Sequence, residues 1–241
     1  MLHSSIELWL MQLIGSLAGT STLLDGAMQI LLSNDLLKGV PFGAALLLLW
    51  AVPRDEYAQD DRQSVLRIVL ATALSLAIGR AVQNIFESPR PIMVPELTAL
   101  YPPAFHEYRL DWNSFPSDHI ALYFTIALGV YGMRRALGIG LIAWCLGAVG
   151  FSRMYAGYHY PLDILGGMAV AAFSLALVSS MRAWLSLPFA KVVRLAVQYP
   201  ALSTAAMFLL CFQIATVFNT VRELGTFGRA GMRMMLTAFL R

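Results

Sequence analysis

Two histidines lie in short polar segments of an otherwise apolar sequence. His119 follows Ser117 and Asp118, and His159 precedes Asp163 by four residues. Each segment stands at the start of a long apolar run. A histidine side chain can act as a nucleophile or as a general acid near neutral pH. The two segments are therefore candidates for one catalytic site.

The spacing of His159 and Asp163 predicts a nucleophile held by a carboxylate. Pro161 between them is well placed as the first residue of a helix, which puts Asp163 about one turn from His159. At that distance a carboxylate can accept the proton of one imidazole nitrogen and leave the other nitrogen free to attack. The alternative is an ion pair or hydrogen bond at a membrane interface without a catalytic role. These residues alone leave both open.

The segment around His119 predicts an anion site at a helix N-terminus. Pro116 precedes a long helical run, so Ser117 and Asp118 fall at the N-cap and in the first turn. Free N–H groups and the positive dipole end at such a terminus suit an anion. A phosphate there would favour the protonated form of His119, which could then act as the general acid for the leaving oxygen. The alternative is a serine cap beside an interfacial histidine.

Arginine and serine side chains supply the remaining candidate phosphate ligands. Arg90 and Arg153 can each present two N–H groups to phosphate oxygens, and Ser152 adjoins Arg153. A single arginine at a membrane edge usually contacts lipid headgroups instead. Phosphoryl transfer needs a nucleophile, an acid for the leaving group and cations around the equatorial oxygens. These residues supply each part without a metal ion, so we expect no metal and no cofactor.

The composition places these residues in an integral membrane protein. Of 241 residues, 58% are hydrophobic and 13% are charged, whereas a soluble domain carries about a quarter charged residues. The apolar residues form long runs, which indicates membrane-spanning helices. A net charge of +3 is too small to indicate a nucleic-acid partner. The expected partners include membrane lipids, and the oligomeric state is left open.

We predict an all-α fold, in which residues 1–241 form one domain built on a bundle of six transmembrane helices. Residues 1–35 are expected to form N-terminal interfacial helices, residues 36–221 the six-span bundle and residues 222–241 a basic tail. A seventh span is the alternative for the N-terminal stretch. The segment Arg182–Gln198 is also expected at the interface. The six predicted spans are Leu37–Val52, Val65–Phe86, Ile120–Met133, Leu137–Phe151, Leu162–Met181 and Ala201–Thr220.

Basic residues in the short loops predict the orientation. Loops on one side of the six-span arrangement carry most of them, and the positive-inside rule puts that side in the cytoplasm. The loops that contain Arg90 and Arg153 then face outward, together with the other candidate site residues. The basic tail falls on the outer side and speaks against this assignment. The expected location is the inner (plasma) membrane of a bacterium, with the site facing the periplasm or the outside.

The site residues form three motifs that resemble those of the type 2 phosphatidic acid phosphatase (PAP2) superfamily of membrane lipid phosphatases. The superfamily pattern is Lys-x6-Arg-Pro, Pro-Ser-Gly-His and Ser-Arg-x5-His-x3-Asp. The third motif is complete here as SRMYAGYHYPLD, from Ser152 to Asp163. The second motif reads PSDH, with Asp118 where the pattern has glycine. The first ends correctly at Arg90 but has Gln83 at the lysine position.

The resemblance implies a role for each matching residue. His159 would form a phosphohistidine with Asp163 as its partner, and His119 would protonate the leaving group. Arg90, Arg153 and Ser117 would bind phosphate. Asp118 resembles the variant in bacitracin-resistance-type undecaprenyl diphosphate phosphatases, which favours a polyprenyl diphosphate substrate. The implied enzyme is a phosphoric-ester or diphosphate hydrolase of the cell envelope, and its implied partner is a lipid phosphate or diphosphate substrate.

Gln83 and Asp118 are the two departures from the superfamily pattern. Gln83 removes a cation that would contact phosphate, and Arg80 lies one turn earlier on the same helix face. We hypothesise that Arg80 reaches the phosphate instead; the alternative is an ion pair of Arg80 with a neighbouring carboxylate. Asp118 should weaken anion binding unless it pairs with an arginine or points away. The full set of candidate substrate-binding residues is Arg90, Arg153, Ser117, Ser152, Arg80, Gln83 and Asp118.

Two other functions are compatible with the same sequence. A lipid phosphotransferase would share His159 and differ only in the acceptor of the phosphoryl group. A transporter or scaffold that has lost catalysis is kept open by Gln83, although His159, Asp163 and His119 are all present. A soluble haloperoxidase shares the motif set, but the apolar spans argue against it.

Overall fold

The chain folds as a set of packed α-helices in a computed structural model that describes residues 5–106 and 113–217. Over these residues it contains one isolated antiparallel bridge, between Pro89 and Asn113, and no strand. This confirms the predicted all-α class. The α-helices are α1 (Ser5–Gly15), α2 (Thr22–Ser33), α3 (Asp35–Ala51), α4 (Ala58–Ile85), α5 (Pro95–Thr98), α6 (Asp118–Met133), α7 (Arg135–Trp144), α8 (Phe151–Tyr155), α9 (Pro161–Ser180), α10 (Arg182–Gln198) and α11 (Pro200–Ala215).

The helices long and apolar enough to cross a membrane number three to five in the described residues. Three qualify singly: α4, α9 and the continuous helix Arg135–Tyr155, in which a π-helical segment joins α7 to α8. Two bent pairs would each count as one span, α2 with α3 at 55° and α10 with α11 at 118°. Helix α6 has only 16 residues, and a span needs about 20. The predicted number of six is therefore not confirmed.

The end of the bundle away from the candidate site is held by Asp61 in the first turns of α4. Arg54 Nη2 lies 2.7 Å from Asp61 Oδ1, and Arg134 Nη2 lies 4.0 Å from Asp61 Oδ2. The predicted loops one and three thus meet at one end, as the six-span arrangement requires. Helix α4 begins at Ala58, earlier than the predicted span at Val65. Its first turns are polar and paired, so the apolar run that defined the predicted span starts after them.

Helix α6 lies at the centre of the bundle, packed by α3, α4, α7 and α9. It is enclosed on nearly every side, which explains why a helix shorter than a span can be so apolar. Its first residues belong to the candidate site, and its last residue precedes Arg134 at the opposite end. The buried residues of α6 are Ile120, Ala121, Leu122, Tyr123, Phe124, Thr125, Ile126, Ala127 and Val130.

Helices α3 and α11 pack closely and antiparallel. A Cβ atom on Gly39 would overlap the backbone of Ala215, and one on Gly43 would lie 3.0 Å from the carbonyl oxygen of Cys211. Small residues at this spacing let helix backbones approach each other. The contact fixes α3 beside α6, with its first turns at the end of the bundle that holds the candidate site.

Pro41 interrupts the hydrogen-bond ladder inside α3. Proline has no N–H, so the carbonyl oxygen of Leu37 loses its helical donor. The indole Nε1 of Trp144 donates to that oxygen at 3.1 Å. The proline is thus accommodated by a side chain from α7.

Helices α1 and α2 pack over α8, and α1 also reaches α9. Met11 and Leu32 join a second hydrophobic cluster that includes Tyr101 and Tyr155. Tyr155 Oη donates to Asp25 Oδ1 at 2.6 Å. The helices expected in residues 1–35 are therefore present, and they cover the candidate site.

The outer face of α1 is apolar and exposed. It carries Ile6, Trp9 and Leu13, spaced as one stripe along the helix. An exposed apolar stripe of this kind suits contact with lipid, so interfacial placement of residues 1–35 stays a prediction. The predicted basic tail, residues 222–241, and the end of the predicted sixth span lie outside the described residues.

Candidate active site

His159 lies in the turn between α8 and α9 and is 1% exposed. Its Nδ1 lies 3.2 Å from Asp163 Oδ2. The same oxygen accepts the backbone N–H of Tyr160 at 2.8 Å, in a capping box at the start of α9 with Pro161 as its first residue. The carboxylate is therefore fixed and can hold the imidazole by its Nδ1–H. That tautomer leaves Nε2 as the unprotonated nitrogen.

Arg90 lies on the Nε2 side of His159 and is 7% exposed. Its Nη1 donates to the carbonyl oxygen of Tyr158 at 2.8 Å and lies 3.4 Å from His159 Nε2. A guanidinium in this position would contact the oxygens of a phosphoryl group bonded to Nε2. The first and third motifs, far apart in sequence, thus meet at His159.

Backbone bonds hold the segment that carries Arg90. The N–H of Ser114 donates to the carbonyl oxygen of Ser88 at 2.8 Å, and the N–H of Ile92 donates to that of Gly157 at 2.8 Å. The segment is thus tied both to the turn before α6 and to the turn that carries His159. These bonds join residues that the sequence alone does not place together.

Ser117 and Arg153 carry buried polar atoms without a hydrogen-bond partner among the described residues. The atoms are Ser117 Oγ and Arg153 Nε, and Arg153 is 6% exposed. The backbone N–H of Ser117 donates to the carbonyl oxygen of Asp163 at 3.0 Å, which fixes Ser117 beside the start of α9. Because an unmatched buried donor is costly, an anion that accepts from both groups would stabilise this region.

Two glycines of α9 let the turn before α6 approach closely. A Cβ atom on Gly167 would lie 2.7 Å from the carbonyl oxygen of Ser117 and 3.1 Å from the backbone nitrogen of Ala121. One on Gly166 would lie 2.5 Å from the ring of Phe115. The glycine pair therefore positions Ser117 although neither glycine belongs to a motif.

Asp118 pairs with His119 in this structure. Its Oδ1 lies 2.7 Å from His119 Nδ1 and accepts the backbone N–H of His119 at 2.8 Å. Asp118 was expected to weaken anion binding unless it paired with an arginine or pointed away; it holds the neighbouring histidine, and its effect on anion binding stays a prediction. The site therefore contains two histidine–carboxylate pairs, each with the carboxylate on Nδ1.

Gln83 and Arg80 form a connected pair on α4. Arg80 Nη1 donates to Gln83 Oε1 at 2.9 Å, and Gln83 Nε2 donates to the carbonyl oxygen of Pro116 at 2.8 Å. Gln83 thus binds the residue that precedes Ser117, and Arg80 orients Gln83. A direct contact between Arg80 and phosphate stays a prediction.

Ser152 is buried, and its Oγ donates to the carbonyl oxygen of Val149 at 3.1 Å in its own helix. That bond leaves the oxygen able to accept but occupies its only donor. A phosphate oxygen accepts hydrogen bonds and does not donate them. The role of Ser152 as a phosphate ligand stays a prediction that would require this bond to break.

Lys38 in α3 is a buried cation, 4% exposed, that was not among the predicted site residues. Its charge interacts with those of Arg153 and Asp118. A lysine inside an apolar run is unusual enough to indicate a functional position. That signal was present in the segment LLKGVPF, but no motif contains it.

Electrostatics favour the neutral form of His159. Burial lowers the pKa of its imidazole, and the positive charge of Arg90 lowers it further, against the opposite effect of the hydrogen bond to Asp163. A neutral imidazole has the lone pair that a nucleophile requires. The free site therefore meets the condition that attack by Nε2 would require.

Apolar helices long enough to cross a membrane and two histidine–carboxylate pairs at one end of the helical bundle define the class of this protein. The chain belongs to the PAP2 superfamily, whose sequence profile matches residues 64–186. This range contains Arg90, Ser117, His119, Arg153, His159 and Asp163.

Several known proteins are similar to this chain. YbjG of Escherichia coli strain K12, whose name gives it a provisional undecaprenyl-diphosphatase activity, is 32% identical over 59% of this chain and 66% of its own length. The undecaprenyl-diphosphatase BcrC of Bacillus subtilis is 30% identical over 55% of this chain and 63% of its own length. The chain thus spans just under two thirds of these relatives.

A solved structure supports the fold. The crystal structure of LpxE from Aquifex aeolicus is similar with a TM-score of 0.52 and 26% identity. The similarity covers 73% of this chain and 96% of that chain. It therefore extends over most of the helical bundle described above.

Proposed function

We propose that the protein is a membrane lipid phosphatase that hydrolyses a polyprenyl diphosphate, or a related lipid phosphate, through a phosphohistidine at His159. The observation that carries the proposal is the placement of His159 between Asp163 on Nδ1 and Arg90 on Nε2. Ser117 and Arg153 add unmatched polar atoms that suit an anion. The names of YbjG and BcrC support undecaprenyl diphosphate as the substrate class.

Phosphoryl transfer would proceed in two steps. His159 Nε2 attacks the terminal phosphorus, the bond from that phosphorus to the leaving oxygen breaks, and His119 donates a proton to that oxygen. Water then attacks the phosphohistidine and gives a proton to His119, which releases inorganic phosphate and restores His159. Arg90, Arg153 and Ser117 would neutralise the phosphoryl oxygens in both steps.

The outward orientation of the site is part of the proposal. Arg54 and Arg134 cluster at the end of the bundle away from the site. Basic residues of short loops favour the cytoplasmic side. The site then faces the periplasm or the outside of a bacterial plasma membrane.

Phosphate release from a panel of lipids tests the proposal. We expect purified protein in detergent to release phosphate from farnesyl or undecaprenyl diphosphate, and a rapid acid-free quench with labelled substrate to trap a phosphoenzyme. Phosphohistidine is acid-labile and base-stable, so the trapped label should be lost in acid and kept in base. No release from any lipid of the panel, or a label with the opposite stability, would contradict the proposal.

The pH dependence of turnover should reflect the lowered pKa of His159. Protonation of Nε2 abolishes nucleophilicity, so activity is lost as pH falls through this pKa. Because burial lowers it, the acid limb of kcat/KM should lie below the ordinary imidazole value of about 6.5. Phosphate release measured from about pH 5 to about pH 8 locates the limb. A limb centred above about pH 7 would contradict a neutral, buried nucleophile.

A further inference from the structure

Lys38 is a buried cation without a place in the mechanism above. Its Nζ donates to the carbonyl oxygen of Leu32 at 2.7 Å and lies 2.7 Å from Asp35 Oδ1. These two partners account for two of the three donors of an ammonium group. A buried charge at the end of an apolar helix is costly, so its retention indicates a function.

The packing of α3 on α6 puts Lys38 at the level of His119. Lys38 and Phe42 lie one turn apart on α3, as His119 and Tyr123 do on α6. Phe42 stacks on Tyr123 with ring centroids 4.6 Å apart, and the rings of His119 and Tyr123 are 6.2 Å apart. Both helices begin at the site and run away from it. One turn from the stacked pair towards the two N-termini therefore brings Lys38 to the level of His119.

The electrostatic interactions of Lys38 agree with this placement. Its charge interacts with those of Arg153 and Asp118, and Asp118 is the carboxylate bonded to His119. Arg90, by contrast, contacts His159. Arg90 thus lies on the side of the nucleophile and Lys38 on the side of the general acid, while the charge of Arg153 acts on both histidines.

The side of the general acid is where the leaving group must lie. In an in-line transfer to His159, the leaving oxygen is opposite the attacking nitrogen, next to His119. Beyond that oxygen a diphosphate lipid has a second, negatively charged phosphorus group, whereas a monophosphate lipid has an uncharged carbon. A buried ammonium at this position distinguishes the two.

We propose that Lys38 binds the leaving phosphate of a diphosphate lipid and makes the site selective for diphosphates over monophosphates. The inference rests on the proposed function and names the substrate class of the same site. Lys38 comes from α3, outside residues 64–186 that match the superfamily profile. Lys38 therefore lies outside the three motifs. In this proposal it binds the part of the substrate that does not bond to His159.

Lys38→Met tests this selectivity, because methionine keeps the apolar stem and removes the charge. With the full-length protein, kcat/KM for farnesyl diphosphate should fall about 10- to 100-fold, the cost of losing a hydrogen bond to a charged group. For farnesyl monophosphate it should change less than about threefold. Lys38→Gln, which keeps a donor for Leu32, should show the same shift in selectivity if the methionine variant does not fold.

Lys191→Met is the matched control, since Lys191 is the other lysine of the chain and is exposed on α10. It should leave both activities unchanged. Equal losses on both lipids in the Lys38 variants would overturn the proposal and assign Lys38 to holding the turn between α2 and α3. Unchanged diphosphate turnover would also overturn it.

Binding of a non-hydrolysable analogue separates this proposal from the hydrolase proposal. The affinity for farnesyl methylenediphosphonate, measured by calorimetry, should be about 10- to 100-fold weaker in Lys38→Met than in the wild type. Affinity for farnesyl phosphonate should be the same in both. If the wild type hydrolyses neither lipid, the proposed function fails while this comparison still decides the role of Lys38. Equal diphosphonate affinities, or no binding to the wild type, would overturn it.

Discussion

Replacing His159 with alanine is expected to reduce phosphate release from every lipid substrate by at least about 10⁴-fold. The reason is that no other described side chain has an unprotonated nitrogen held between Asp163 and Arg90. In the proposed mechanism, loss of the nucleophile would remove the covalent step, whereas Arg90 and Arg153 would still bind phosphate. The measurement is kcat by phosphate release, with trapping of the phosphoenzyme in parallel, which should disappear.

The control for this substitution is His106→Ala. His106 is exposed, and its Nε2 lies 3.1 Å from the carbonyl oxygen of Tyr101 in the loop over the site. Its removal should change kcat less than about threefold. Activity of the His159 variant within about tenfold of the wild type, or a phosphoenzyme that persists, would show that another residue accepts the phosphoryl group.

Replacing Gly167 with alanine is expected to lower both activity and stability, although no atom of Gly167 takes part in the chemistry. The added Cβ would lie 2.7 Å from the carbonyl oxygen of Ser117, and backbone cannot yield as a flexible side chain can. Overpacking of this kind costs about 1–3 kcal/mol. Because a displacement of about 1 Å at a catalytic group can cost about 10²-fold in rate, kcat/KM should fall by a similar factor.

Gly140→Ala provides the matched comparison, since a Cβ atom there meets nothing within 4 Å. An alanine in a helix is favoured over glycine by about 1 kcal/mol, so this variant should be as stable as the wild type or more so. The two substitutions are chemically identical, but only Gly167→Ala should lower the thermal unfolding midpoint. A Gly167 variant that is as stable and as active as the Gly140 variant would show that the turn at Ser117 moves without cost.

Much of the candidate site could be predicted from the spacing of neighbouring residues in the sequence. Asp163 follows His159 by one turn with Pro161 between them, so the sequence alone predicts that the two side chains can meet. Arg90 is different, because its position at His159 depends on backbone bonds from Ser88 and Ile92 to distant loops. For such residues the motif pattern, and not the periodicity, supplied the prediction.

Features that depend on packing between distant segments could not be read from the sequence. Lys38 reaches the level of His119 because α3 packs on α6 with Phe42 stacked on Tyr123, and these residues lie far apart in the sequence. Helix α6 was counted as a span although its apolar run is short, because hydropathy does not distinguish burial in protein from burial in lipid. The pairing of Asp118 with His119 depends on side-chain orientation, which sequence spacing leaves open.

Ser117 Oγ and Arg153 Nε are buried without a hydrogen-bond partner among the described residues. Under the proposed function they would link the stability of the fold to substrate binding. In most interiors the chain itself supplies every hydrogen-bond partner. Here the described residues supply no partner, and under the proposed function a phosphate group would complete the interior as a core side chain does elsewhere. The contacts that stabilise this part of the fold and the contacts that recognise the substrate would then be the same. The bound headgroup would take a structural place that a side chain fills in other proteins.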